Sequence, residues 1–234
     1  MRIVALHGFG GAGSDFDALA SALGRETELE IPGLPLSEPL DCGPDDLLLG
    51  YSMGARVALS AVIDGLRCAG LVLIGGTPGI DDDSDRQARR RADLDLAARI
   101  EGLGSAAFAD EWAKSPIIRS QERMPQPWRQ EMSARRRDQP VAGLLNQLET
   151  LGQGAMPSMW HRLGEIPVPT LWLVGAEDDK YGRIADRAAT LMPTAQVIRV
   201  AGAGHAPHLE VPAETARLLK EHEVHWDQLD PRAK

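Results

Sequence analysis

Three residue types that can carry nucleophilic and acid–base chemistry occur in the order Ser, Asp, His. The serine, Ser52, is the centre of Gly50-Tyr51-Ser52-Met53-Gly54, which follows the apolar residues 47–49 and precedes a helical pattern over residues 56–63. Strand, G-x-S-x-G and helix in succession are typical of a nucleophile elbow, whose glycines let the backbone turn sharply and present the serine hydroxyl. We therefore predict a nucleophilic or proton-transfer role for Ser52, and the alternative is an ordinary turn serine.

The acid and the base each follow a predicted strand. Residues 168–174 are apolar and lead to Asp178, and residues 195–200 lead through Gly202-Ala203-Gly204 to His205. We favour Asp178 over its neighbours Glu177 and Asp179, which could cap the following helix. Asp178 would hold the tautomer of His205 and stabilise its imidazolium form. The alternative for His205 is a surface histidine without a catalytic role.

A glycine-rich loop after the first predicted strand supplies backbone donors. Residues 7–13 read His-Gly-Phe-Gly-Gly-Ala-Gly and lack the Lys and Ser/Thr of a phosphate-binding P-loop. We predict that the backbone N–H groups of Phe9 and Met53 form an oxyanion hole. His7 is expected to hydrogen-bond beneath the loop, and His208 to be structural, since a metal ion there would compete for His205.

The elements that must position these residues alternate between strand and helix. Strands are predicted at residues 2–6, 27–31, 47–49, 69–74, 168–174 and 195–200, and later helices near 184–191 and 212–223. This alternation predicts an α/β fold with a doubly wound, mostly parallel sheet and a site at the carboxyl ends of its strands. Four prolines within residues 32–46 predict an irregular connection there.

The alternation stops over residues 80–163, where only helical patterns occur, at 86–100 and 106–114, with breaks near several prolines. We predict that this stretch is a helical cap inserted into a core formed by residues 1–79 and 164–234. Equal numbers of basic and acidic side chains, 12 each, lie within residues 81–138, whereas the whole chain has a formal charge of −9. Its arginine triplets, 89–91 and 135–137, are either a solvated face or a site for a polyanionic small molecule.

Composition argues against several other classes of protein. The negative charge disfavours nucleic acids and acidic membranes as partners. The start has no signal-peptide pattern and no stretch of about 20 apolar residues follows, so a soluble cytoplasmic protein is expected. Cys42 and Cys68 are expected to be reduced thiols. No cofactor or metal is predicted, and the oligomeric state stays open.

These residues resemble one family, the 2-succinyl-6-hydroxy-2,4-cyclohexadiene-1-carboxylate synthases of menaquinone biosynthesis, which have the α/β-hydrolase fold. The similar motifs run through nearly the whole chain: Leu6-His7-Gly8-Phe9-Gly10-Gly11, Gly50-Tyr51-Ser52-Met53-Gly54-Ala55-Arg56, Gly75-Gly76-Thr77-Pro78-Gly79, the arginine-rich cap, Asp178-Asp179-Lys180-Tyr181, and Gly202-Ala203-Gly204-His205 with Glu210. Relative to that family the chain is expected to be shortened at its N-terminus, without the leading hairpin, and the proline-rich segment replaces a helix.

The resemblance implies a lyase that eliminates pyruvate from a tricarboxylate cyclohexene precursor. It implies a triad of Ser52, Asp178 and His205, in which Ser52 acts as a base on the ring proton. It further implies an anion site, whose expected residues are Tyr51, Arg56 and Lys180 in the core and Arg89, Trp112 and Arg136 in the cap.

Two alternatives belong to other functional classes. A serine hydrolase would use Ser52 to form an acyl-enzyme from a small ester or thioester. A non-catalytic binding protein would keep the fold without the activity, and the complete Ser, Asp, His set argues against it.

Overall fold

A single sheet of six parallel strands organises the chain, in the order β2-β1-β3-β4-β5-β6. The computed structural model describes residues 2–229, and their side chains as far as residue 222. The strands are β1 Arg2–Leu6, β2 Glu28–Glu30, β3 Leu47–Tyr51, β4 Gly70–Ile74, β5 Thr170–Gly175 and β6 Ala195–Val200. The order reverses between β1 and β3, so the carboxyl ends of these two strands flank the crevice in which such sheets bind ligands.

The central strands are apolar throughout because both of their faces are covered. Every residue of β3, β4 and β5 is buried, whereas β2 at one edge has only three residues, one of them exposed. Continuous apolar runs are typical of parallel strands that lie between two helical layers. The α/β fold predicted from the sequence is confirmed.

Helices cover the two faces of the sheet. Flanking the sheet are α1 Asp17–Leu23, α2 Met53–Ile63, α6 Asp179–Ala189, α7 Pro207–Glu210 and α8 Pro212–Leu229. The apolar side chains of α2 and α6 join one core cluster and those of α1 and α8 join another, so the sheet is doubly wound. The helix expected near residues 184–191 begins earlier, at Asp179, because the Asp178 side chain caps it by accepting from the Tyr181 N–H.

Within the described chain, residues between β4 and β5 form helices and no strand. They are α3 Asp83–Trp112, α4 Trp128–Arg137 and α5 Val141–Leu151, with short 3-10 helices at Arg119–Arg123 and Trp160–Glu165. The two helical patterns expected at 86–100 and 106–114 meet within α3 at Gly104, whose φ of 73° interrupts the helix. A separate apolar cluster, which includes Ile100, Phe108, Leu144 and Leu148, holds α3 against α5.

The proline-rich connection before β3 contains no helix, as predicted. Arg2 anchors it, because its guanidinium pairs with Glu30 and Asp46 and lies 3.1 Å from a carboxylate oxygen of Asp41. Cys42 and Cys68 are free and buried, and burial raises the pKa of their thiols to about 11 and about 12, so neither is a reactive thiolate. None of the helices in residues 2–229 has the length and apolar character needed to cross a bilayer.

Candidate active site

The turn between β3 and α2 holds Ser52 in a conformation that few non-glycine residues adopt, with φ 52° and ψ −104°. Gly50 and Gly54 make this turn possible: a Cβ on Gly50 would lie 2.5 Å from the Ala55 Cα, and one on Gly54 would collide with the Leu6 carbonyl. The Ser52 N–H donates to the Ile74 carbonyl of β4 at 2.9 Å, which ties the turn to the sheet. Strain of this kind costs about 1–3 kcal/mol and is typical of functional turns.

Ser52, His205 and Asp178 form one hydrogen-bonded chain. The Nε2 atom of His205 lies 3.1 Å from Ser52 Oγ, and its Nδ1 atom lies 2.7 Å from Asp178 Oδ2. Asp178 uses its other oxygen to cap α6, accepting from the Tyr181 N–H at 3.1 Å. The helix therefore fixes the carboxylate that orients the imidazole, which is the geometry of a base that activates a hydroxyl.

The ring of His205 is enclosed by its neighbours. Its centroid lies 4.4 Å from that of Tyr181 and 5.5 Å from that of Tyr51. Gly75, with φ 53°, lies against the ring on another side. Its lack of a side chain makes room for the ring, because a Cβ there would lie 2.8 Å from His205 Cε1. The imidazole thus has little freedom to rotate away from Ser52.

The other two histidines near the site have structural surroundings. Leu34 N donates to His7 Nε2 at 3.2 Å, so Nδ1 carries the hydrogen and donates to the Gly8 carbonyl at 2.8 Å. His208 is fully buried, and neither ring nitrogen has a hydrogen-bond partner among the described residues. Burial lowers the pKa of His208 to about 3, with smaller contributions from His205 and Arg136, so the ring is neutral.

Two backbone donors at the site have no acceptor within the described part of the chain, namely the N–H groups of Phe9 and Met53. Met53 is the first residue of α2, where backbone N–H groups lack intrahelical partners and the helix dipole favours negative charge. In the glycine loop, Gly10 N donates to Gln147 Oε1 at 2.9 Å and Gly11 N to the Gly8 carbonyl, whereas the Phe9 N–H makes no such bond within the described chain.

Two arginines, the buried Arg56 and the half-buried Arg136, have no carboxylate partner among the described residues. Arg56, one turn after Ser52, donates to the Leu151 carbonyl at 2.6 Å, and Arg136 on α4 donates to Gln121 Oε1 at 2.9 Å. The Nε atom of each is buried and unpartnered. Burial lowers the pKa of Arg56 to about 10 and also lowers that of Arg136. A buried cation without a counter-ion favours an anionic ligand.

The remaining residues implied by the resemblance lie in three different settings. Arg89 on α3 pairs with Asp93 at 2.7 Å and donates to Gln153 Oε1 at 2.9 Å. Trp112, at the end of α3, packs edge-on against Phe9 of the glycine loop, with centroids 5.6 Å apart. The exposed Lys180 has its Nζ 5.3 Å from the centroid of the Tyr181 ring.

Several contacts around the site were not expected from the sequence. Gln121 donates to the Tyr51 hydroxyl at 3.1 Å, and Gln153 donates to the Tyr181 hydroxyl at 3.2 Å. Each glutamine thus joins an arginine, Arg136 or Arg89, to a tyrosine beside His205. Glu210, five residues after His205, accepts from two backbone N–H groups of the histidine loop. No motif indicates the glutamines, because their partners are far away in sequence.

Comparison with protein families and curated sequences gives consistent matches. A family model described as the alpha/beta hydrolase family matches residues 3–218. A Bacillus subtilis protein provisionally named as a 2-succinyl-6-hydroxy-2,4-cyclohexadiene-1-carboxylate synthase is 35% identical over 175 residues, which are 74% of this chain and 64% of that protein. The synthase of Salmonella newport is 32% identical over 71% of this chain and 63% of its own length. The chain therefore spans less than two thirds of the length of these relatives.

Solved structures show the same fold over almost the whole chain. MenH from S. aureus superposes with a TM-score of 0.87 at 26% identity, covering 97% of this chain and 94% of that protein. A thermophilic esterase from Thermogutta terrifontis superposes with a TM-score of 0.74 at 21% identity, covering 98% and 90%. At that identity the esterase supports the fold alone.

Proposed function

This chain belongs to the alpha/beta hydrolase family, and on that premise we propose that it is a carbon–oxygen lyase of menaquinone biosynthesis. The reaction eliminates pyruvate from a succinyl-enolpyruvyl-hydroxycyclohexene-carboxylate and leaves 2-succinyl-6-hydroxy-2,4-cyclohexadiene-1-carboxylate. The names of the matched relatives support this substrate. In this proposal residues 80–163 are a cap over a core formed by residues 1–79 and 164–234.

The proposed chemistry is proton abstraction followed by loss of the enolpyruvyl group. His205 Nε2 takes the proton of Ser52 Oγ, and the serine oxygen removes a proton from the substrate ring. The electron pair of that C–H bond moves onto a conjugated carbonyl oxygen, which the N–H groups of Phe9 and Met53 would hold. When the pair returns, a ring C=C bond forms, the C–O bond to the enolpyruvyl group breaks, and the released enolate takes up a proton to become pyruvate.

The observation that carries the proposal is the pair of arginines without carboxylate partners, the buried Arg56 and the half-buried Arg136. Arg56 lies one helical turn after Ser52, and Arg136 reaches Tyr51, the residue before Ser52, through Gln121. A tricarboxylate supplies the counter-ions that these guanidinium groups lack, and arginine binds a carboxylate with two parallel hydrogen bonds. An enzyme that acts on neutral esters gains nothing from burying such cations.

The test is pyruvate release by the purified protein from the cyclohexene precursor, followed through NADH consumption by lactate dehydrogenase. We expect Ser52→Ala and His205→Ala each to lose at least about 10³-fold in kcat while remaining folded, because triad members act as a unit. Ser60→Ala is the matched control, since Ser60 Oγ donates to the Asp64 carboxylate on the same exposed helix face. Near-normal pyruvate release by Ser52→Ala would refute the assignment.

A serine hydrolase is the second candidate, favoured by two features of the site. The Ser52 to His205 distance and the two free N–H donors would serve an acyl-enzyme as well as a base. A panel of neutral and anionic small esters measured beside the pyruvate assay separates the two candidates. Hydrolysis of a neutral ester that exceeds pyruvate release, and that does not depend on Arg56, would favour the hydrolase. Turnover of neither substrate class would leave the binding-protein alternative.

A further inference from the structure

One short turn of the inserted helical segment contacts all three loops of the candidate site. The turn is the 3-10 helix Arg119–Arg123, between α3 and α4. Three of its five side chains reach the histidine loop, the acid loop and the nucleophile strand, each through a different contact. None of the three is a residue that the chemistry above uses.

Ser120 holds the histidine loop through Glu210. Its Oγ donates to Glu210 Oε1 at 2.7 Å. The same carboxylate accepts from Gly204 N at 2.7 Å and from Ala206 N at 3.1 Å, the N–H groups of the two residues on either side of His205. Glu210 is only 4% exposed, so water does not compete for these bonds. The position of His205 along its loop is therefore set by a carboxylate that Ser120 orients.

Gly204 lets this contact form. A Cβ on Gly204 would lie 2.6 Å from the Ser120 Cβ, a separation that real side chains do not adopt. The turn and the histidine loop are thus in direct van der Waals contact, and a single methyl group would separate them.

Arg123 joins the acid loop to the histidine loop. Its two terminal nitrogens bind both oxygens of Glu177, the residue before Asp178, in a bidentate pair. The nitrogen Nη1 also donates to the Gly202 carbonyl at 2.9 Å. One guanidinium therefore links the segments that carry Asp178 and His205, through an ion pair whose side chains are 42% and 51% exposed.

Gln121 contacts the end of β3, the strand that precedes Ser52. It is 4% exposed, and its Nε2 donates to the hydroxyl of Tyr51, the residue before Ser52. Its Oε1 accepts from Arg136 at 2.9 Å. Both ends of the amide are satisfied, so the turn is fixed against the end of β3.

We propose that the Arg119–Arg123 turn is a positioning element, whose contacts through Ser120, Gln121 and Arg123 set the relative placement of Ser52, Asp178 and His205. The proposal rests on the proposed function of that site. Proton transfer along a hydrogen bond requires accurate placement of the donor and acceptor atoms. A displacement of about 1 Å, caused by a substitution far from the reacting atoms, lowers the rate on the order of 10²-fold. Removing one contact should therefore slow the reaction without weakening substrate binding.

The experiment uses Ser120→Ala and Arg123→Ala in the full chain, with matched controls elsewhere. Ser60→Ala removes an exposed serine bond to Asp64, and Arg217→Ala removes an exposed arginine pair with Glu214. The first readout is the second-order rate at which a fluorophosphonate probe modifies Ser52. In that step the Ser52 Oγ–P bond forms, the P–F bond breaks, fluoride leaves and the proton goes to His205. The second readout is kcat and KM for pyruvate release, and the third is Tm.

We expect the probe rate and kcat of Ser120→Ala to fall about 10-fold or more, as for loss of a buried hydrogen bond. Those of Arg123→Ala should fall less, about 2- to 5-fold, because the Arg123–Glu177 pair is half exposed and screened by solvent. KM should stay within about 2-fold, because neither side chain contacts the proposed substrate arginines directly. Arg123→Lys, which keeps the charge but not the bidentate fork, should recover part of the probe rate. Both control variants should match wild type.

Wild-type probe rates in folded Ser120→Ala and Arg123→Ala would overturn the proposal. So would losses that only track the unfolded fraction given by Tm, since a merely structural turn would behave in that way. Probe modification that is equally fast in His205→Ala would remove the Ser52–His205 pairing on which the proposal rests. If wild type reacts with the probe but releases no pyruvate, the lyase function fails while the probe rates still decide the role of the turn.

Discussion

His208 should make the folded protein less stable as the pH falls below neutrality, and His208→Phe should remove that effect. The ring is fully buried between Tyr51, 4.4 Å away between centroids, and Phe16, 5.0 Å away. The charged or titratable groups that face it are Tyr51 on β3, His205 in the loop before α7, and Arg136 on α4. No acceptor or donor among the described residues would stabilise an imidazolium there.

The size of the effect follows from the two pKa values. The unfolded chain takes up the proton near pH 6.5, whereas the folded chain keeps His208 neutral down to about pH 3. The stabilisation is therefore fully present above pH 6.5 and is lost as the pH falls from there toward pH 3. At 1.36 kcal/mol per pH unit, the free energy of unfolding loses about 2 kcal/mol between pH 6.5 and about pH 5.

The assay is urea unfolding of wild type and His208→Phe at about pH 8 and about pH 5, with linear extrapolation to water. Phenylalanine keeps the aromatic packing, and any steric cost should be equal at both pH values. The stability lost between the two pH values should be about 2 kcal/mol smaller in the variant than in wild type. His161→Phe, at an exposed histidine, controls for the loss of a histidine. Identical pH dependence in wild type and His208→Phe would refute the reasoning.

Three further predictions concern the arginines and Gly75. Arg56→Ala and Arg136→Ala should each lose about 1.5–3 kcal/mol of transition-state binding, which is roughly 10- to 150-fold in kcat/KM. Arg89→Ala should lose less, because Arg89 already pairs with Asp93. Equal kcat/KM in all three variants and wild type would contradict this. Arg56→Met should raise Tm while it lowers kcat/KM, because it removes an unpaired buried charge, and a lowered Tm would count against that view of the site. Gly75→Ala should lower kcat by about 10²-fold, because the added methyl group would displace His205. An unchanged kcat would show that the His205 ring can shift without loss of activity.

Local signals allowed much of the fold to be predicted from the sequence. The elbow around Ser52 is specified by two glycines that lie within two residues of it, and the central strands by apolar runs. The start of α6 was predicted five residues too late, because the pattern of apolar residues begins after the first turn. The cap that starts this helix is Asp178, whose side chain was assigned only to His205.

The contacts between the helical segment and the site could not be predicted from the sequence. Gln121 and Tyr51 are separated by 70 residues, and Ser120 and Glu210 by 90. Such pairs depend on where the segment lies over the sheet, which no periodicity encodes. The same limit applies to Arg56 and Arg136, since their lack of a carboxylate partner is a property of the folded chain alone.

Whether Ser52 acts as a base or as a nucleophile is decided by rapid-quench mass spectrometry during turnover of the cyclohexene precursor. Proton transfer leaves the mass of the peptide that contains Ser52 unchanged, whereas an acyl-enzyme adds the mass of the acyl group. We expect pyruvate as the product and no adduct on Ser52 at any time within the first turnovers. An acyl-Ser52 species that forms and decays at the turnover rate would contradict the lyase mechanism and leave the serine hydrolase in its place.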